Sequence, residues 1–158
     1  MANLNQIIGS LDTFLKCSSF QDYGPNGLQV PGPQEVGQVV TGVSAHLALF
    51  DRAAELGADL VVVHHGLFWD KAPRALDEPM KRRLQRLFEH EMALAAYHLP
   101  LDAHPEVGNN ALLANALGCE SSHSFAEHRR RDRDRRPLRG RRGAGPRALR
   151  ARRRGDQA

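Results

Sequence analysis

Short apolar runs alternate with amphipathic stretches from residue 38 to residue 118, and this alternation constrains the fold more than any other feature. Residues 38–44, 60–63 and 92–98 each carry an apolar run typical of a buried strand. Helical periodicity occupies the segments between them, and residues 4–16 repeat apolar side chains at helical spacing. We therefore predict an α/β fold with a parallel-sheet β-α-β-α-β core and flanking helices.

Capping and breaking residues predict where the elements begin and end. Ser44 is expected to cap the helix after the first strand, and Pro79 to open the third helix. Asn109 or Asn110 is expected to cap the fourth helix. Glycine and proline punctuate residues 18–33, which we predict to be a loop.

The net charge of +4 conceals two chemically different segments. Residues 1–128 carry 8 Lys and Arg against 15 Asp and Glu, a balance of −7, whereas residues 129–158 carry 14 Arg against 3 Asp, a balance of +11. The second segment has no aromatic or β-branched residue, so it cannot bury enough apolar surface to offset the entropy of ordering. We predict a folded portion over residues 1–118, a junction over 119–128 and a disordered tail over 129–158.

Three explanations compete for the arginine-rich tail. It could be an arm that binds nucleic acid through phosphate charges, although it lacks aromatic side chains for stacking on bases. It could be a solvated tail without a role. It could also be a frame-shifted translation, because GC-rich codons read out of frame produce such mixtures of Arg, Gly, Ala and Pro.

Cysteine content and hydropathy exclude several classes of protein. Cys17 and Cys119 lie far apart and form no CxxC, which argues against a disulfide framework and a zinc–cysteine site. No apolar run reaches the length of roughly 18 residues that a membrane-spanning helix needs. The first ten residues lack a basic stretch followed by an apolar one, so we expect a cytoplasmic protein without a secretory signal.

Polar side chains gather where the predicted strands end. In parallel sheets ligands bind outside the carboxyl ends of the strands. Imidazole and carboxylate together suit divalent zinc, iron, manganese, nickel or cobalt, and the sequence does not distinguish these metals. Five of the eight histidines and one aspartate follow the predicted strands: His46, His64, His65, His98, His104 and Asp102.

These candidates differ in how well a purely structural role explains them. Burying the adjacent pair His64 and His65 without partners would cost several kcal/mol, so we favour metal ligation for both. Asp102 could cap a turn, but its position beside His98 favours a ligand. His98 and His104 are candidate cleft-lining groups that could shuttle protons.

Two further histidines are weaker candidates. For His46 the sequence leaves a site role and a structural role open. His90 lies at a predicted helix end and is expected to be solvated.

Three ordered motifs resemble one known family. Residues 22–30 read DYGPNGLQV, residues 61–66 read VVVHHG and residues 97–102 read YHLPLD, and Gly108-Asn109-Asn110 follows them. These motifs resemble the signatures of the GTP cyclohydrolase 1 type 2 homologs, also called Ngg-interacting-factor-3-like proteins. The resemblance extends over residues 4–118.

The resemblance implies a two-part α/β fold assembled as a homohexamer around sites for two divalent metal ions. It implies His64, His65 and Asp102 as metal ligands. The family name suggests hydrolysis of GTP, although the small-molecule substrate of most members is unknown. Members of the family continue with a second α/β portion that supplies a histidine and a glutamate spaced H-x-x-x-E.

This chain departs from the family pattern after Gly118. We therefore expect it to be truncated, with an incomplete site and weak or no hydrolase activity, and we prefer the frame-shift explanation of the tail. His123 and Glu127 share the H-x-x-x-E spacing, but they follow the fourth helix too soon, so we interpret them as a coincidence. The alternative function is a metal-binding interaction module whose basic tail contacts nucleic acid or acidic partners.

Overall fold

A computed structural model describes residues 1–119 of the chain, so the predicted tail and almost all of the predicted junction lie outside the described residues. Strands and helices alternate through the described part. Their bounds are β1 Ala2–Asn3, α1 Leu4–Phe14, β2 Gly27–Val30, β3 Glu35–Val36, β4 Val39–Ser44, α2 Leu47–Glu55, β5 Leu60–His65, α3 Glu78–Glu89, β6 Ala93–Ala96, α4 Leu99–Asp102 and α5 Asn109–Ala116, with a 3-10 turn at Cys17–Ser19.

The main sheet has four strands in the order β2-β6-β5-β4. β4 pairs with β5 and β5 pairs with β6, both in parallel, so that Leu60 lies between Val39 and Ala93. β2 adds to the outer edge of β6 in the antiparallel direction. β1 and β3 form a separate two-stranded antiparallel ribbon. The predicted α/β fold with a parallel β-α-β-α-β core is confirmed.

Helices cover both faces of the sheet. Side chains alternate between the two faces along every strand, so each strand contributes apolar residues to both sides. On one face Val61 and Val63 belong to a buried cluster with Phe50 of α2 and Leu87 of α3. On the other face the buried residues are contributed by both ends of the α1 segment and by the central strands: Leu4, Leu15, Leu60, Ala93, Ala95 and Tyr97. The core is therefore a three-layer arrangement with the sheet in the middle.

The helices begin as their caps dictate. The Asn3 side chain accepts from the backbone N–H groups of Asn5 and Gln6 at the start of α1. Asp77 caps α3, whose first turn contains Pro79 as predicted. Within residues 1–119 the longest helix has 12 residues, and none is long and apolar enough to cross a membrane.

Three local predictions are wrong. Residues 18–33 are not all loop, because β2 forms within them by pairing with β6, a long-range contact that local composition does not reveal. Ser44 does not cap α2 but ends β4, and His46 caps the helix through Nδ1, which accepts from the Leu49 N–H. Neither Asn109 nor Asn110 caps α5, because the helix begins at Asn109 and its cap is Gly108.

Candidate metal centre

Three histidines meet at the carboxyl edge of the parallel strands. His64 and His65 are the last two residues of β5, and His98 lies two residues beyond the end of β6. The ring centroids of His64 and His65 are 4.5 Å apart. The His98 ring lies 4.9 Å from His64 and 5.5 Å from His65. Although neighbouring residues on a strand alternate in direction, the two imidazoles lie close together at the end of β5.

The ligand atoms of His64, His65 and His98 all lie within 4.8 Å of one another. His64 and His65 are two of the three predicted ligands, and His98 is a predicted cleft-lining group. Asp102, the third predicted ligand, lies beside the group, with its Oδ1 3.5 Å from His64 Nε2. The structure therefore brings His64 and His65 together with His98, and it places Asp102 beside His64.

His64 is oriented by a backbone carbonyl. Its Nδ1 lies 2.9 Å from the carbonyl oxygen of Tyr97. Because a carbonyl only accepts, Nδ1 carries the hydrogen in the neutral ring, and the lone pair is on Nε2. The side chain is 13% exposed, and its Nε2 faces Asp102 Oδ1 at 3.5 Å.

His65 is held from the neighbouring strand, because its Nδ1 lies 3.0 Å from Ser44 Oγ. A hydroxyl both donates and accepts, so this contact is compatible with either tautomer. Burial, and after it the neighbouring imidazoles of His64 and His98, lower the pKa of His65, against the opposing effect of Asp102. A lowered pKa favours the neutral ring, which is the form that binds a metal ion.

Asp22 holds His98 from the loop before β2. Its Oδ1 lies 2.8 Å from His98 Nδ1, and its Oδ2 accepts from the backbone N–H of Leu99. The Asp22 side chain is only 2% exposed. Burial would raise the pKa of Asp22, but hydrogen bonds from His98, Asn26, Leu99 and Tyr23 outweigh it and hold that pKa below its ordinary value. Asp22 is therefore a buried carboxylate in the ionised state.

Asp102 ends the short helix α4 and is fixed by two asparagines of α5. Asn109 Nδ2 donates to Asp102 Oδ1 at 2.8 Å, and Asn110 Nδ2 donates to the Asp102 backbone carbonyl at 3.0 Å. These contacts give a role to the Asn-Asn pair that follows the YHLPLD motif. They hold the carboxylate against the His64 side of the cluster.

The remaining predicted histidines lie elsewhere. His46 caps α2, and His90 is exposed at the end of α3 as expected. His104 packs its ring on Phe14 at a centroid distance of 4.4 Å, and its Nδ1 accepts from the N–H groups of Glu106 and Val107. His123 and Glu127 lie outside the described residues.

Residues of β2 and of the neighbouring loops line a cavity beside the imidazoles. Trp69 meets His98 edge to face at 5.2 Å, and it lines the same cavity as Gln29 and Gly66. The Gln29 amide accepts from the Leu67 N–H and donates to the Pro25 carbonyl, so it ties β2 to the loop after β5. A Cβ on Gly66 would lie 2.3 Å from Gln29 Oε1. Gly66 therefore permits this close approach.

The donor set suits a divalent transition-metal ion. Imidazole nitrogens and a carboxylate oxygen are the ligands that zinc, iron, nickel and cobalt accept in proteins. Each ring nitrogen Nδ1 is engaged by a neighbouring group, which leaves Nε2 of all three histidines for an ion. Such outer contacts orient the ligands of established metal sites. The residues present therefore fit the metal that the resemblance implies.

Reasoning from sequence missed Asp22 and Asn26 as parts of the site, although both lie in the DYGPNGLQV motif. Asp22 contacts a histidine 76 residues away, and Asn26 accepts from the backbone N–H of the same residue. No spacing rule links positions so far apart. The one available signal was a polar Asp-Asn pair inside a loop punctuated by proline and glycine.

A family model described as Duf34/NIF3 (NGG1p interacting factor 3) matches residues 2–153. A GTP cyclohydrolase 1 type 2 homolog of Pseudomonas aeruginosa is 48% identical over 117 residues, which cover 74% of this chain and 46% of the relative. The chain thus spans about half the length of the curated relatives it matches.

Solved structures agree with this similarity. The structure of protein ybgI, described as of unknown function, superposes with a TM-score of 0.72 at 45% identity and covers 73% of this chain and 47% of that one. TTHA1606 from Thermus thermophilus superposes with a TM-score of 0.70 at 46% identity, covering 73% and 48% of the two chains.

Proposed function

Since the chain belongs to the Duf34/NIF3 family, we propose that it binds divalent metal ions at the carboxyl edge of its sheet. In this proposal the bound ions form the metal site of a hydrolase. The observation that carries the proposal is the meeting of three imidazoles within 4.8 Å, beside a carboxylate 3.5 Å from one of them. His64, His65 and Asp102 would hold the ion. The names of the curated relatives suggest a substrate of the GTP class.

The residues around the cluster support binding in two ways. Tyr97 and Ser44 hold the two imidazoles of the pair in place, so little side-chain entropy is lost on binding. Asp102 contributes a negative charge that offsets the charge of the ion. When bound, a divalent ion supplies Lewis-acid chemistry, polarising a carbonyl or phosphoryl group and making water more acidic.

A small cavity lies beside the imidazoles. It is lined by Gly24, Pro25, Gln29 and Trp69 together with His64 and His98. The Gln29 amide is engaged by Leu67 and Pro25, so it helps to fix the wall of this cavity.

A second candidate function is a metal-binding interaction module that contacts nucleic acid or acidic partners. It depends on the segregation of charge, with a balance of +11 over residues 129–158 against −7 over the rest of the chain. Phosphate contacts by arginine would supply the affinity, independently of base sequence.

The test of the metal site is a Zn²⁺ titration of the full 158-residue chain, followed by competition with a chromophoric chelator. We expect the double substitution His64→Ala/His65→Ala to abolish binding, because it removes two of the converging nitrogens. Circular dichroism should report an unchanged fold, since both side chains lie at the end of β5, beyond its buried valines. His90→Ala is the matched control. Equal affinity in the double variant and the wild type would refute the proposal.

A further inference from the structure

We propose that Asp22 is a positioning residue that makes His98 a third imidazole ligand, with Nε2 as the binding atom. The proposal rests on the proposed metal site, and it assigns a role to two residues outside the predicted ligand set. It differs from the proton shuttle that the sequence suggests for His98. Three observations carry it: the convergence of His98 with the histidine pair, the burial of Asp22, and the donor arrangement around its two oxygens.

The carboxylate of Asp22 is surrounded by donors. Oδ1 accepts from the Tyr23 backbone N–H at 2.7 Å and faces His98 Nδ1 at 2.8 Å. Oδ2 accepts from Asn26 Nδ2 at 2.9 Å and from the Leu99 backbone N–H at 2.8 Å. Three of these four partners can only donate in these contacts, so Asp22 functions as an acceptor on both oxygens.

This arrangement determines the tautomer of His98. An acceptor 2.8 Å from Nδ1 keeps the hydrogen on that nitrogen in the neutral ring, and the lone pair is then on Nε2. The Tyr97 carbonyl imposes the same tautomer on His64. Ser44 imposes neither tautomer on His65. His64 and His98 are therefore prepared as ligands before any ion binds.

The backbone around His98 is fixed by the same loop. Asn26 Oδ1 accepts from the His98 N–H at 2.8 Å, and Asp22 accepts from the N–H of the next residue. Ring and backbone are thus both held by the segment before β2. A histidine held by a carboxylate at its other ring nitrogen is the usual arrangement of a metal ligand, and loss of the carboxylate typically lowers metal affinity about 10- to 100-fold.

Asp22→Asn tests the tautomer directly because it keeps the shape and replaces one acceptor oxygen by an NH₂ donor. In one orientation the new NH₂ group faces the donors of Asn26 and Leu99. In the other orientation it faces the Tyr23 N–H and the hydrogen on His98 Nδ1. If the NH₂ group faces the imidazole, the hydrogen moves to Nε2 and the lone pair is lost from the site. We expect Zn²⁺ affinity to fall about 10- to 100-fold. Asp70→Asn, an exposed aspartate in the loop after β5, is the matched control and should bind as the wild type does.

A double-substitution cycle separates positioning from a general loss of stability. His98→Ala should lower Zn²⁺ affinity by a similar factor, and the combination Asp22→Asn/His98→Ala should be no weaker than His98→Ala alone. A carboxylate that only stabilises the loop would instead add its own effect. Additive losses in the cycle would overturn the proposal.

Nitrogen-15 NMR of the metal-free full chain reads the tautomer without any metal. We expect His98, assigned by the signal lost in His98→Ala, to carry its hydrogen on Nδ1 in the wild type and on Nε2 in Asp22→Asn. A wild-type His98 with its hydrogen on Nε2 would overturn the proposal even if Asp22→Asn failed to fold.

The two proposals fail in different ways. Wild-type protein that binds no Zn²⁺ would refute the metal site, while the NMR measurement would still decide whether Asp22 orients His98. Wild-type binding that His64→Ala/His65→Ala abolishes and that Asp22→Asn and His98→Ala leave unchanged would refute the role of Asp22 alone.

Discussion

Tyr97 contributes to both the hydrophobic core and the candidate metal centre. Its side chain is buried to 1% exposure in the cluster beneath α1, whereas its backbone carbonyl accepts from His64. Burial, and after it the nearby Asp12 carboxylate, raise the pKa of the Tyr97 hydroxyl. Tyr97 therefore joins the packed interior beneath α1 to the imidazole of His64.

Cys17 lies in the same cluster and provides a residue-scale prediction. Burial, followed by the Asp12 carboxylate, raises the pKa of its thiol from 9.0 to about 12. Since the thiolate is the reactive form, iodoacetamide at pH 8 should modify the exposed Cys119 well before Cys17. Peptide mass spectrometry over a time course measures both rates. Faster modification of Cys17 in the folded chain would contradict this account.

The same shift has a consequence for stability. The folded state holds the Cys17 proton more tightly than the unfolded chain, so this contribution is fully present below pH 9 and is lost as the pH rises toward 12. Tyr97 has a shift of the same sign. Both groups therefore favour the folded state near neutral pH.

Regular elements were predictable where the side-chain pattern is strong and local. The β4-α2-β5-α3-β6 order followed from apolar runs and helical periodicity, because each element is long enough to show its period. β2 was not predicted because it has only four residues, which lie in a segment rich in glycine and proline. It forms by pairing with β6, which is distant in the sequence. The two-residue strands β1 and β3 carry no period at all.

The candidate site was predictable in part for a related reason. Parallel strands end at one edge, so the rule about strand ends found His64, His65, His98 and Asp102 without knowledge of the loops. Asp22 depends on how the loop before β2 folds across the sheet, which a single sequence does not encode in any local spacing. The sequence also left the ring contact of His104 with Phe14 undetermined.

Gly66 provides a prediction at the scale of an element, the loop that follows β5. An alanine there would place its Cβ 2.3 Å from Gln29 Oε1, an amide fixed by hydrogen bonds to Leu67 and Pro25. We expect Gly66→Ala to cost about 1–3 kcal/mol of unfolding free energy, because the amide must move or lose those bonds. Urea denaturation followed by circular dichroism measures the change.

Gly9→Ala is the matched control for Gly66→Ala. A Cβ at Gly9, in the middle of α1, would meet no atom within 4 Å apart from the backbone of its own helix and its chain neighbours. Alanine is favoured over glycine inside a helix by roughly 0.5–1 kcal/mol, so this variant should be more stable than the wild type. Equal effects of the two substitutions would show that the contact with Gln29 is unimportant.

For the whole molecule we predict little or no hydrolase activity in the 158-residue chain. Two-metal hydrolysis requires both ions in a fixed relation, and a bridging carboxylate usually keeps them close. Within residues 1–119 the cluster consists of three imidazoles with Asp102 beside them, and no glutamate of that part joins it. Turnover of GTP and simple phosphate or amide substrates with added zinc, manganese or iron is the assay. Robust metal-dependent turnover that His64→Ala abolishes would contradict the prediction.

Charge segregation provides a test of the second candidate function. If the chain is an interaction module, it should bind duplex DNA through the 14 arginines of residues 129–158, with log affinity falling by about 0.9 per phosphate contact for each unit of log salt concentration. A variant ending at residue 128 carries a balance of −7 and should not bind. Fluorescence anisotropy over a salt series measures both chains. Undiminished binding by the shorter variant would exclude the tail as the DNA-binding segment.

The central claim is that a divalent ion binds where the three histidines converge. Crystals of the full chain grown with Zn²⁺, with data collected on both sides of the zinc absorption edge, test it most directly. The account predicts an anomalous peak at about 2.0–2.1 Å from Nε2 of His64 and His65, the usual Zn–N distance. An ordered histidine cluster without an anomalous peak, or a peak bound only at other residues, would contradict the account.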